Sequence, residues 1–197
     1  MAHTLYHTEG FIVESVNSGE ANRFLWIYTK DFGLLGVHAQ GVRYMKSKLR
    51  YSLIDMAYCS FTLVRGRDVW RLTSATIQDS GSFLLMGNIH KRVAFSRVMK
   101  LLKRLIHGEE RDDVLFEILY RGYLSLQDTS VDYGVIKSIE IMLVIQILHT
   151  LGYLSLPEEY MRFIHTDSWS LDILGEISER KHSMVRIIND SLGMIEV

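Results

Sequence analysis

The sequence predicts an α+β chain, with a small closed β-barrel of five strands over residues 1–80 and an all-α domain over 81–197. Three observations predict it. Up to Asp79 the apolar residues fall in short runs rich in Val, Ile, Phe, Tyr and Trp, and Gly, Asn, Ser or Asp stands at the joins, the mark of successive strands. Past Gly81 the apolar period becomes helical. The chain has 197 residues, 48% of them hydrophobic, enough to fill a core in each part.

The first predicted strand is Phe11 to Val16. Phe24 to Tyr28 and Leu34 to Ala39 follow as a hairpin about Asp31-Phe32-Gly33, where Gly33 supplies the positive φ of a tight turn. Ala57 to Val64 and Val69 to Ile77 complete the set, joined by Arg65-Gly66-Arg67-Asp68 with Gly66 as its expected positive-φ position. In the second strand Leu25 and Ile27 alternate with Phe24, Trp26 and Tyr28. The aliphatic residues are expected inside the barrel and the aromatic ones outside, where they either stack nucleobases or are covered by the second half of the chain.

Ile89 to His107 reads as an amphipathic helix, N-capped by Asn88 and stopped by Gly108. Its apolar arc holds Ala94, Phe95, Val98, Leu101, Leu102, Leu105 and Ile106; the other side carries Arg97, Lys100, Lys103, Arg104 and His107. Asp112 and Asp113 place two carboxylates at the positive end of a helix over Val114 to Leu126. Val135 to Leu151 is the most apolar helix, ends at Gly152, and is the expected hub of the second domain. Glu140, Gln146 and His149 interrupt its apolar run, which predicts a buried helix and no membrane span. Asp167-Ser168 opens a further helix through Leu174, and a last one runs from Ser178 to Leu192 and stops at Gly193. No repeat of fixed period is present.

The formal net charge of −1 hides a polarity. Residues 1–80 carry nine Lys/Arg against seven Asp/Glu, 81–111 carry seven against two, and 112–197 carry six against fourteen. Such asymmetry suits a protein that offers one face to an anion and another to a partner or to solvent. The lone Cys59, within an apolar run, allows no internal disulfide and no thiolate zinc site, and the single Pro157 excludes Pro-rich linkers. The polar opening MAHTLYHTEG predicts no secretory leader, and a cytoplasmic, nucleoid-associated location is expected.

The candidate site follows from charge placement. After Ala39 comes an open, mobile loop with Arg43, Lys46, Lys48 and Arg50, no carboxylate, and Tyr44 inside it. With Arg23, Arg65 and Arg67 it predicts phosphate contacts, and Tyr44, Trp26 or Trp70 supply rings for unpaired bases. The basic stripe Arg97, Lys100, Lys103 and Arg104 is either a solvated face or the seat of an anionic partner; the absence of acids on the helix removes the pairing that stabilises a solvated one. His3, His7 and Glu9 could be metal ligands only at a frayed terminus, and His149 and His165 read as hydrogen-bonded core histidines. There is no phosphate-binding Walker loop, no nucleophile elbow and no paired zinc motif, so neither catalysis nor a cofactor or metal is expected.

Several local motifs stand in order along the chain. Gly19-Glu20-Ala21-Asn22-Arg23, the run to Tyr28-Thr29-Lys30 and Gly33, Gln40-Gly41-Val42-Arg43 and Ser47-Lys48-Leu49 resemble the N-terminal domain of the RecO family of bacterial recombination mediators. Arg65-Gly66-Arg67, and Ile139-Glu140-Ile141 leading into Leu148-His149-Thr150-Leu151-Gly152-Tyr153, are similar to that family's later landmarks. The resemblance implies an OB-fold that binds single- and double-stranded DNA, joined to a helical domain. It implies strand annealing, partnership with RecR and with the C-terminal tail of single-stranded DNA-binding protein, and indirect loading of RecA, with no catalytic residue and no nucleotide. Leu154-Ser155-Leu156-Pro157-Glu158 stands where many members carry a four-cysteine zinc finger, Gln40 replaces a basic residue, and Glu196-Val197 ends the chain without a basic extension. The alternative is an interaction adaptor of the repair complex that has weak or no direct DNA binding.

Overall fold

Five strands form in the first part of the chain: β1 (Leu5–Ser18), β2 (Asn22–Thr29), β3 (Gly33–Ala39), β4 (Tyr58–Arg65) and β5 (Trp70–Ile77). A computed structural model describes residues 4–67, 69–79, 81–166 and 169–194. The strands close into a barrel in the order β1-β2-β3-β5-β4. Every neighbouring pair is antiparallel except β3 and β5, which run parallel through Val37–Trp70 and His38–Arg71. This is the five-stranded barrel the sequence predicts, and a helical region follows it.

β1 is far longer than the predicted Phe11 to Val16, because one strand serves two partners. Its first half pairs with β4 from Leu5–Val64 to Phe11–Tyr58, its second with β2 from Gly10–Thr29 to Ser18–Asn22, and a bulge at Val13 bends it between them. Residues 5–10 carry little β-signal of their own; pairing across the barrel makes them a strand. The interior is filled by Ile12, Leu25, Ile27, Leu35, Val37, Cys59, Phe61 and Leu63, each at most 1% exposed. Leu25 and Ile27 lie in the barrel core as predicted, and Tyr28, which is not part of that core, is buried, which is the covered alternative and leaves it no free face for a base.

By Cα proximity the chain divides into two units, Met1–Phe83 with Met99–Asp113, and Leu84–Val98 with Val114–Val197. Among the described residues seven α-helices follow the barrel: α1 (Gly81–Gly87), α2 (Ile89–Leu105), α3 (Asp113–Gln127), α4 (Tyr133–Thr150), α5 (Arg162–His165), α6 (Leu171–Glu179) and α7 (Lys181–Met194). Asn88 caps α2, its Oδ1 accepting from the His90 and Lys91 N–H groups. Asp132 caps α4 by accepting from Val135 N–H at 2.9 Å.

α4 is the hub of its unit: Ile139, Met142, Leu143, Ile147 and Leu148 are fully buried, and α5, α6 and α7 lie against it. By length and composition α4 could cross a membrane, but its buried face is the core of the helical unit. It ends in a six-residue hydrogen-bonded motif, with Tyr153 N–H to Leu148 O at 2.8 Å and Gly152 N–H to His149 O at 2.9 Å, and Gly152 at φ +76°.

Three local expectations need correction. Gly66 does not adopt a left-handed φ; a Cβ there would lie 2.5 Å from the Val69 carbonyl oxygen, so the turn needs space. The Asp68 of that link lies outside the described residues. Gly193 does not stop the last helix, which starts at Lys181 and runs to Met194, because an exposed glycine with open space around it weakens a helix end without breaking it. The Asp167-Ser168 start lies outside the described residues; α6 begins at Leu171, where the Ser170 side chain accepts from Ile173 N–H, and continues past Leu174 to Glu179.

Candidate nucleic-acid interface

Beyond β3 the chain does not run as an open loop. Tyr44 N–H bonds to Gly41 O (3.3 Å), Ser47 N–H to Tyr44 O (3.0 Å), Arg50 N–H to Ser47 O (3.4 Å) and Leu53 N–H to Leu49 O (3.3 Å), so residues 41–53 form consecutive turns around a 3₁₀ turn at Lys48–Tyr51. Apolar anchors explain this order. Val42 and Leu53, each 2% exposed, belong to the barrel core, and Leu49 packs against it. Two further ties hold the start of the segment: Arg43 N–H to Ala21 O at 2.9 Å and Gly41 N–H to Asn22 Oδ1 at 2.8 Å.

Between these anchors Arg43, Lys46, Lys48 and Arg50 are all exposed. No Asp or Glu occurs from residue 40 to 54. Arg43 is steadied by a hydrogen bond from its guanidinium to Gly19 O (2.8 Å), which leaves its charge uncompensated. Arg23 differs: it is half-buried and donates to Leu53 O at 3.0 Å, bracing the far end of the segment. Its charge also bears on Asp55, whose carboxyl is raised by burial and by the Glu14 charge against the pull of Arg23.

Arg65, the last residue of β4, and Arg67 beyond it are exposed. Arg65 pairs with Glu109 at 3.6 Å and lies over the Trp70 ring, 5.5 Å from its centroid. Trp70 itself is 3% exposed; its indole N–H donates to Glu109 Oε1 at 3.0 Å, and the rings of Tyr6 and Phe32 pack on it. That ring is barrel wall and offers no free face to a base. Trp26 is half-buried, with Phe24 edge-on at 5.5 Å and the Lys103 ammonium 5.1 Å above its ring. These residues border a groove of about 550 Å³ with Leu34, Gly36, Ile106 and His107.

Two rings in the cationic segment do face solvent: Tyr44 is 66% exposed and Tyr51 74%, with Met45 at 88%. Tyr51 and Met45 escaped the sequence reading. The available signal was their position in a carboxylate-free run with no strand or helix period to bury them.

The α2 stripe is partly neutralised by other elements, which replaces the missing pairing within the helix. In the helical unit Arg97 meets Glu140 of α4 at 3.3 Å, and Lys137 holds the other oxygen of that carboxylate at 2.7 Å. In the barrel unit Lys103 pairs with Glu14 of β1. Lys100 and Arg104 are exposed and have no carboxylate at ion-pair distance among the described residues.

Among the described residues no three His, Cys, Asp or Glu side chains gather as metal ligands would. His7 shares a hydrogen bond with Thr62 Oγ1 at 3.2 Å, and Glu9 pairs with Lys30 at 3.1 Å; His3 lies outside the described residues. The His149 Nδ1–H donates to Leu154 O at 3.1 Å, as a core histidine would, whereas His165 is exposed, contrary to expectation. Burial, with the Asp79 charge, pushes the Cys59 thiol up to about 12, which keeps it an inert packing group.

Comparison with known proteins gives one consistent family. The model for the N-terminal domain of recombination protein O matches residues 1–80. A DNA repair protein RecO from Rubrobacter xylanophilus is 29% identical over 134 residues, 68% of this chain and 53% of that protein. One from Acetivibrio thermocellus is 26% identical over 147 residues, 74% of this chain and 57% of that protein. One from Dehalococcoides mccartyi is 32% identical over 130 residues, covering 64% and 49%. The chain spans about half the length of the curated relatives it matches.

Proposed function

We propose that the chain is a recombination mediator of DNA repair of the RecO kind that binds DNA without sequence specificity, a reading supported by the match of its residues 1–80 to the N-terminal domain of recombination protein O and by its likeness to DNA repair proteins RecO. The observation that carries this reading is the segment Arg43–Arg50, four exposed cations without a carboxylate, anchored to the barrel core by Val42, Leu49 and Leu53. Arg43, Lys46, Lys48, Arg50 and the outlying Arg67 neutralise phosphates and release counterions, with Arg23 a weaker contributor because it is half-buried and Arg65 because Glu109 already pairs with it. On this reading residues 1–80 are the nucleic-acid-binding domain and 81–197 the helical domain. Annealing follows from screening two strands on one protein, and RecR, single-stranded DNA-binding protein and RecA are the expected partners in a bacterial cytoplasm.

The test is fluorescence anisotropy of a labelled oligo-dT across a salt series, with wild type and Arg43→Glu/Lys46→Glu/Lys48→Glu. About four phosphate contacts give a slope of log affinity against log salt near −3 for single strands. Affinity indifferent to salt, or unchanged in the variant, removes the reading.

Lys100 and Arg104, exposed and without acidic partners, favour a second reading in which the end of α2 receives the acidic tail of single-stranded DNA-binding protein. Titrating that tail peptide against wild type and Lys100→Glu/Arg104→Glu decides it. Equal affinity for both sinks this site, while tail binding without any DNA binding makes the chain an adaptor.

A further inference from the structure

We propose that the turn segment 43–51 is selective for unpaired strands, with Tyr44 and Tyr51 as stacking platforms for two bases and Met45 as the apolar side chain between them in sequence. This rests on the reading of that segment as a DNA contact and names the form of DNA that it holds.

Three properties carry the inference. First, the exposure is unusual for its residue types: three large apolar side chains at 66%, 88% and 74% lie within nine consecutive positions. Side chains of this kind exposed together mark an interaction surface more often than chance. Second, the surrounding charge selects the partner. With Arg43, Lys46, Lys48 and Arg50 interleaved and no acid from 40 to 54, the complementary ligand alternates negative groups with flat apolar ones, which describes a single nucleic-acid strand. A duplex presents the phosphates but keeps its base faces inside the stack, so it can satisfy the cations and not the rings.

Third, the platform is preorganised. Tyr44 is held on both sides in the chain by the turn bonds Tyr44 N–H to Gly41 O and Ser47 N–H to Tyr44 O. Its ring edge lies against Gly41, at a position where an added Cβ would sit 3.5 Å from Cδ2. Tyr51 ends the 3₁₀ turn, directly before the bonds that return Ser52 and Leu53 to Leu49 and bury Leu53. Rings on a fixed backbone lose little freedom when a base stacks on them, so most of the stacking energy is realised as affinity.

The experiment uses the full chain with three labelled probes of equal length at one salt concentration: oligo-dT, an oligomer of abasic sites with the same phosphates, and a blunt duplex. Wild type is expected to bind oligo-dT at least roughly fivefold more tightly than the abasic strand. Tyr44→Ala/Tyr51→Ala should lose roughly 10- to 100-fold on oligo-dT while leaving the abasic strand and the duplex within about twofold. Tyr44→Phe/Tyr51→Phe should behave as wild type, because stacking needs the ring and not the hydroxyl. Met45→Ala should lower only oligo-dT binding.

Equal wild-type affinity for oligo-dT and the abasic strand, or an alanine double variant that binds oligo-dT normally, overturns the platform and leaves the DNA-binding reading standing. An alanine variant that loses all three probes alike overturns strand selectivity. No binding of any probe by wild type overturns this inference and the proposed function together.

Discussion

The Lys103 ammonium lies 5.1 Å above the centroid of the Trp26 ring and pairs at the same time with Glu14. One cation thus joins the end of α2 to β1 through an ion pair and to β2 through a ring face, on a side chain one-third exposed. Removing it should cost more than removing its neighbour. Lys103→Met is expected to destabilise the barrel by about 1 kcal/mol, the sum of a partly exposed ion pair and one cation–π contact. Lys100→Met should stay within about 0.5 kcal/mol, as surface changes away from such contacts do. Urea unfolding of the two variants side by side is the measurement, and equal costs would refute the role given to Lys103.

Two glycines share one φ and differ in their surroundings, which separates strain from crowding. Gly19 and Gly33 both stand at φ +64°. A Cβ on Gly19 meets nothing within 4 Å, whereas on Gly33 it would fall 2.1 Å from the backbone oxygen of Glu110. Gly19→Ala should cost about 1 kcal/mol, the left-handed penalty alone. Gly33→Ala should cost that and a further 1–3 kcal/mol for displacing the Glu110 backbone. Thermal unfolding that ranks the two equally would show that the 106–113 stretch yields freely.

That contact also marks the limit of what could be read in the sequence. The five strands were legible because apolar runs and turn residues are local signals, and the cationic segment was legible because charge needs no partner to be counted. The turn at Gly33 was visible; the reason it tolerates no side chain, a backbone from residue 110, was not. The same holds for the rings. By sequence Trp70 is only a candidate stacking ring; what decides against it is Glu109, thirty-nine positions later, on its indole N–H, and Lys103 covers Trp26 in the same long-range way. Tyr51 and Met45 were passed over because exposure is decided by which neighbours, here Leu49 and Leu53, take the buried places.

In the helical unit Gly122 of α3 and Leu143 of α4 fit as a pair. A Cβ on Gly122 would come within 2.5 Å of Leu143 Cδ2, and Leu143 is fully buried. Alanine has the higher helix propensity by about 1 kcal/mol. Crowding in a filled core should outweigh it and leave Gly122→Ala destabilised by about 1–2 kcal/mol. Leu143→Ala alone should cost 2–5 kcal/mol through the cavity it leaves (roughly, by comparison with other cores). The double variant should be more stable than the sum of the two by about 1 kcal/mol, since the new methyl occupies part of that cavity. Strict additivity in a double-mutant cycle would show that the two side chains do not compete for space.

Lys91 supplies a pH test. The residue is 3% exposed and its ammonium donates to Asp128 O at 2.5 Å, just past the end of α3. Burial lowers its pKa from the ordinary 10.5, with the Asp128 charge acting in the opposite sense. In the window between the lowered value and 10.5 the unfolded chain holds a proton that the folded chain has released. Stability from this group therefore rises with pH across the window, is complete above the unfolded value, and is lost as pH falls through the folded one. Subtracting the thermal unfolding curve of Lys91→Met from that of wild type, pH by pH from neutral upward, isolates it. The difference should move in favour of wild type as pH rises; a flat or falling difference would mean that the ammonium is better solvated than its burial indicates.

The last test separates cations that are free from cations that are already paired. Lys46 has no acidic neighbour in its carboxylate-free segment, while Lys30 is held by Glu9 at 3.1 Å and its pKa is raised by that hydrogen bond and charge. If counterion release at the segment drives binding, Lys46→Gln should make the salt slope for oligo-dT shallower by about 0.7, one phosphate contact on a single strand. Lys30→Gln should weaken binding little and leave the slope unchanged, because Glu9 already neutralises it. Arg23→Gln should fall between them, losing some affinity through the brace to Leu53 and little slope. A common slope for all three variants would mean that the strand responds to the overall field of the barrel and not to contacts at this segment.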